Sequence, residues 1–149
     1  MSQLSARFEP DTDGTGEFFV QVEHEGFRGA GSAWFQVSVL IEFARKLENT
    51  YPFPPDARFE LNGGYLNSPE GTIKELHVGL AVYPVGTLGD IGLKVHLESK
   101  VIHDFRPDAK NILAVEMFTS YEPLRAFARQ LQAMISGNIE FVRLQANDF

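Results

Sequence analysis

A chain of 149 residues, 44% hydrophobic and 22% charged, has the size and make-up of one ordinary soluble globular domain. It contains no cysteine, which excludes disulfides, thiol catalysis and zinc–thiolate centres. The net charge is −7, and most of it sits at the front. Residues 1–26 hold Glu9, Asp11, Asp13, Glu17, Glu23 and Glu25 against the single base Arg7, so −5 of the −7 falls there. Such a front repels phosphate backbones and argues against nucleic-acid binding. It would attract and steer a basic protein partner, although acidic surface also serves simply to keep a protein in solution. The N-terminus has no apolar stretch, and no run approaches the ~18 apolar residues of a membrane span. The expected location is therefore the cytoplasm, with no membrane association.

In chain order, residues 1–16 end in Asp11-Thr12-Asp13-Gly14-Thr15-Gly16 and are expected to form a flexible acidic arm. Residues 17–149 are expected to form a single α+β domain. From Glu17 the pattern has period two, with Phe18, Val20 and Val22 on one face, which predicts a strand. His24-Glu25-Gly26 reads as a hairpin loop, and Phe27 to Phe35 as the returning strand. The small centre of that run, Gly29-Ala30-Gly31-Ser32-Ala33, is equally compatible with a loop. A helix is predicted from about Ser38 to Asn49, stopped by Tyr51-Pro52-Phe53-Pro54-Pro55. Phe59 and Leu61 mark a third strand, interrupted at Asn62-Gly63-Gly64 by a bulge or turn.

Two clear strands follow. Leu76, Val78, Leu80 and Val82 alternate with polar or small residues, as do Ile91, Leu93, Val95 and Leu97. Pairing 76 with 97 and 82 with 91 makes every apolar residue meet an apolar one, and it sets His77 opposite His96. Asn111 to Thr119 gives another strand, Ser120 a helix cap, Pro123 a first helical turn, and Gly137 a helix stop. Ile139, Phe141 and Leu144 suggest a short last strand.

One stretch occurs twice. Leu40-Ile41-Glu42-Phe43-Ala44-Arg45-Lys46-Leu47 recurs 84 residues later as Leu124-Arg125-Ala126-Phe127-Ala128-Arg129-Gln130-Leu131. Both copies place Leu, Phe, Ala and Leu at i, i+3, i+4 and i+7, one stripe of an α-helix. Both follow a strand-like run ending in a large aromatic, Trp34 or Phe118, expected to be a core residue. The resulting order is β-β-α-β-β-β-β-α-β. It predicts an α+β fold in which an antiparallel sheet of about six to seven strands carries two helices on one face.

Few residues carry chemistry. Cross-strand His77 and His96 could bind a metal or ligand, with Glu75 or Glu98 as a third ligand. Asp11 to Gly16 resembles the first half of a calcium loop, but position 12 is Val22 where a bidentate Glu belongs. His103-Asp104 has no nucleophile paired with it and reads as a turn. There is no nucleophile elbow, P-loop or dinucleotide fingerprint, and no cofactor is expected.

The stretch Ala33-Trp34-Phe35, then Leu40 to Leu47, then alternating strands, then Leu124 to Leu131 resembles a group of small bacterial domains built from strands with two covering helices. The group includes immunity-type proteins of the WapI family. The resemblance covers roughly residues 17–136 and implies a non-catalytic domain that binds and blocks a toxin. Three readings follow. The first is a cytoplasmic binding domain that engages a basic protein through Asp11, Asp13, Glu17, Glu23 and Glu25. The second is a small-ligand or metal-binding protein using His77 and His96. The third is a subunit of a homo-oligomer, joined through an exposed sheet face or edge.

Overall fold

The structure is a computed structural model that describes residues 1–147. Its elements run β1 (Ser2–Pro10), β2 (Thr15–His24), β3 (Phe27–Gln36), α1 (Val37–Asn49), β4 (Phe59–Leu66), β5 (Ile73–Val85), β6 (Asp90–Glu98), β7 (Ile112–Thr119), α2 (Tyr121–Ile135) and β8 (Phe141–Gln145). The class is α+β and the pairing is antiparallel throughout. The strands divide into two sheets of four, sheet A in the order β3-β2-β1-β8 and sheet B in the order β4-β5-β6-β7. This corrects the expectation of one sheet with helices on one face. Alternation tells which residues of a strand are buried, but the number of sheets that share those residues is set by tertiary pairing.

The front of the chain is a second correction. The expected loose arm is strand β1, hydrogen-bonded between β2 and β8 in the interior of sheet A. Leu4 and Ala6 are buried, and Phe8 packs against the core. Their period-two phase was masked by the polar, Gly-rich tip that follows. That tip, residues 11–14, turns β1 into β2, with Gly14 at φ +83°.

Topology explains the helical repeat. The chain consists of two successive β-β-β-α-β runs, β1 to β4 around α1 and β5 to β8 around α2. The last strand of each run leaves its own sheet. β4 pairs with β5, the first strand of the second run, and β8 pairs with β1, the first strand of the first. The two halves are thus clasped by exchanged strands.

The inner faces of both sheets and the helical stripes Leu40/Phe43/Ala44/Leu47 and Leu124/Phe127/Ala128/Leu131 share one core. The small run in β3 is strand, and it lets the sheets approach one another. A Cβ at Gly31 would lie 3.4 Å from the His77 carbonyl oxygen, and one at Gly63 would collide with the Phe35 ring. The connector after α1 is held by α2: Phe53 is buried, and its N–H donates to Tyr121 Oη at 2.8 Å. At the end of α2, Gly137 (φ +85°) and the bond from Asn138 N–H to Ala133 O form a Schellman stop.

Candidate functional site

In sheet A the odd residues of β1, β2 and β8 and the even residues of β3 point away from the core. Register aligns them in rows across the strands. Glu9, Glu17 and Trp34 form one row; Phe141, Arg7, Phe19 and Ser32 form the next; Arg143, Ser5, Gln21 and Ala30 form the third. The last two rows line a shallow groove of about 630 Å³, floored by the small residues Ser5, Ala30, Gly31 and Ser32. The Arg7 guanidinium lies 3.7 Å above the Phe19 ring, and Arg143 lies 5.7 Å from the Phe141 centroid.

Trp34 is 53% exposed. The sequence placed it in the core; it is the neighbours on either side, Ala33 and Phe35, that point inward. The glycines before them carry no hydrophobic phase, so the alternation could not be anchored. Trp34 is therefore the site residue that the sequence missed. The usable signal was its position directly before buried Phe35.

The five acids do not form one cluster. Glu17 lies in the Trp34 row and accepts a hydrogen bond from Ser32 Oγ at 2.7 Å. Asp11 and Asp13 sit at the adjoining β1–β2 tip. Asp13 accepts from the Thr15 backbone N–H and hydroxyl, which holds its carboxyl below the usual range. Glu23 is at the far end of the face, bridged to Arg28 at 3.0 Å. Glu25 occupies the two-residue β2–β3 turn with φ +49°, followed by Gly26 at +88°. The acid at the Trp34 end is thus Glu9, Asp11, Asp13 and Glu17. Glu9 itself is engaged by Arg7 at 2.6 Å.

The outward face of sheet B is furnished differently. The β5–β6 register is two residues away from the expected one: Val78 pairs with Leu97 and Val85 with Asp90. His96 therefore lies opposite Gly79, and His77 is not its partner. Both registers match apolar with apolar, so that criterion could not separate them; the tight turn at Gly86 and Gly89, both with positive φ, does. His77 is 2% exposed and sits at the bulge between Gly63 and Gly64, with the Tyr65 ring edge-on at 4.6 Å. Its Nε2 meets Glu75 Oε1 at 2.8 Å, and the same oxygen accepts the Val101 N–H at 2.8 Å. His96 Nε2 meets Glu98 Oε2 at 2.6 Å, while Lys110 Nζ holds the other oxygen of Glu98 at 2.6 Å. The His77 hydrogen bond leads in holding Glu75 below the ordinary carboxyl range, and the Lys110 hydrogen bond leads for Glu98.

These contacts fasten the 99–111 loop beside sheet B. Among the described residues no three of His, Cys, Asp and Glu gather in a way that could hold a metal ion. His103 and Asp104 lie in that loop, where the Arg106 N–H bonds the His103 carbonyl as a turn.

Comparison of the chain with family models, with curated proteins and with solved structures gives no significant match to any of them. No helix among the described residues is long and apolar enough to cross a membrane.

Proposed function

We propose that this protein is a non-catalytic binding domain that presents the outward face of sheet A to a basic protein, in the manner of an immunity-type inhibitor. The observation that carries this reading is the row Glu9–Glu17–Trp34 beside the Asp11/Asp13 tip. A half-exposed indole next to carboxylates suits a lysine or arginine. The ring attracts the cation by about 0.5–1 kcal/mol at an exposed site, and each surface carboxylate adds about 0.2–1 kcal/mol. Tryptophan is also the residue type that most often dominates protein interfaces.

Trp34 is the single tryptophan, so its fluorescence reports on its own row. Hexalysine is expected to change the emission saturably, with weakening as salt rises and at least several-fold loss in Glu17→Gln. A silent Trp34, or binding indifferent to salt, ends the reading. In the cell, a basic protein captured by the wild type should be lost with Trp34→Ala, at a cost of about 2 kcal/mol or roughly 30-fold in affinity. A second copy of this chain is the competing occupant of the same face. Light scattering over a concentration series distinguishes it.

A further inference from the structure

The groove next to the Trp34 row holds chemistry of the opposite sign. Arg143, Ser5 and Gln21 stand side by side on β8, β1 and β2. Among the described residues, none of the three side chains has a hydrogen-bond or ion-pair partner. The other two arginines on this face are engaged, Arg7 with Glu9 at 2.6 Å and Arg28 with Glu23 at 3.0 Å. A guanidinium fork, a hydroxyl and a carboxamide are therefore open in one row, alongside the row that carries the aromatic rings of Phe141 and Phe19. In a chain of net charge −7, this is a local cationic spot that no carboxylate among the described residues neutralises.

The two halves of the fold also differ in how they treat their outer faces. Sheet B ties its own 99–111 loop to Glu75 and Glu98. In sheet A the matching β2–β3 connection is a two-residue turn, and the groove is lined by residues of the sheet alone among those described.

We propose that this groove is a carboxylate receptor, taking an aspartate or glutamate side chain of the same protein partner, with Arg143 as its anchoring cation. The inference rests on the reading above for the partner's existence and adds its chemistry. Arg143 supplies the bidentate fork that a carboxylate matches. Ser5 and Gln21 donate to the carboxylate or to the backbone beside it. The groove row and the Trp34 row lie four residues apart along each strand, which is about 13 Å at ~3.4 Å per residue. The partner segment accordingly carries a cationic and an anionic side chain about 13 Å apart, a spacing of four residues in extended chain. This alternation sets register and rejects segments that are merely basic.

The test uses the full chain, labelled with ¹⁵N, and two dipeptides, N-acetyl-Phe-Asp-amide and its neutral control N-acetyl-Phe-Asn-amide. The aspartate peptide should shift the amides of Ser5, Gln21 and Arg143 saturably at millimolar concentration. It should bind at least tenfold more weakly to Arg143→Ala, and at least threefold more weakly to Arg143→Lys, which keeps the charge and removes the fork. Equal binding of the asparagine peptide, shifts confined to other faces, or an Arg143→Lys protein that binds as well as wild type would each overturn the proposal. Aspartate binding without any response to hexalysine would uphold the groove and remove the basic-partner reading instead.

Discussion

Gln132 Nε2 donates a hydrogen bond to Glu48 Oε1 at 2.9 Å, and these two residues occupy the same position of the helical repeat, 84 residues apart. Arg129 Nη1 lies 3.8 Å from the other oxygen of Glu48. The helices α1 and α2 therefore meet through equivalent faces, as the two copies of a symmetric pair would. Breaking the sequence identity at this point, Glu against Gln, replaces a like-charge clash with a hydrogen bond. Gln132→Glu is expected to cost about 1 kcal/mol at pH 7, lowering Tm by about 3 °C. Each carboxylate would raise the other's pKa, so the deficit should shrink as pH falls through the ordinary glutamate range. Thermal melts of both proteins from pH 7 to pH 3 check this.

Removal of residues 1–10 separates a strand from an arm. A loose arm could be deleted at little cost. Strand β1 pairs on both sides and buries Leu4 and Ala6, so its loss would expose the edges of β2 and β8 and open the core. The truncated chain is expected to lose cooperative melting and to aggregate. A truncation that melts like the full chain would contradict the placement of β1.

The close approach of the sheets makes Gly63 intolerant of a side chain. Gly63→Ala would push its Cβ into the Phe35 ring, at a cost of about 1–3 kcal/mol for overpacking. Phe35→Leu should relieve part of that, so the double variant should be more stable than the sum of the singles by at least ~0.5 kcal/mol. Urea denaturation of the four proteins gives the coupling.

Glu98 and Lys110 give the stability curve a predictable shape. The Lys110 ammonium is the first cause holding the Glu98 carboxyl below its ordinary value of 4.5, with His96 adding to it. A depressed folded pKa means that the stabilisation is fully present above 4.5 and is lost as pH falls through the lower folded value. In return Glu98 raises Lys110 above 10.5, so that contribution is present below 10.5 and lost as pH rises through the higher folded value. Glu98→Gln should flatten both limbs. Tm measured from pH 2 to pH 11 reads this directly.

Tyr83 should ionise well above the ordinary tyrosine value of 10.0. Burial, then its hydrogen bond to Glu116, raises its phenol to about 12. The folded state disfavours the phenolate, so this group contributes stability that is lost as pH rises above the ordinary value of 10.0. An ultraviolet titration should show a component near 12 that is absent in Tyr83→Phe and shifted down in Glu116→Gln.

Much of this protein was legible before any coordinates. The strand phases of β2, β5, β6 and β7, both helices with their buried stripes, and the Gly137 stop are local. Each depends on periods of 2 and 3.6 and on the φ freedom of glycine, which a sequence states directly. The repeat at Leu40 and Leu124 likewise announced two equivalent helices. Several things were left to the tertiary structure because they depend on which of several locally equal pairings is made. The residues of β1 read as an arm until β2 and β8 closed on them. The β5–β6 register could shift by two without turning any side chain to the wrong face, so His77 and His96 were paired on paper, whereas His96 stands opposite Gly79 and each histidine bonds its own glutamate. Strand exchange between the halves leaves no trace in any one strand's pattern. Trp34 faced inward or outward according to a phase that Gly29 and Gly31 could not carry. Local periodicity determined which residues are buried; long-range pairing decided what the outward faces bring together, and there the row of Glu9, Glu17 and Trp34 and the groove at Arg143 arise.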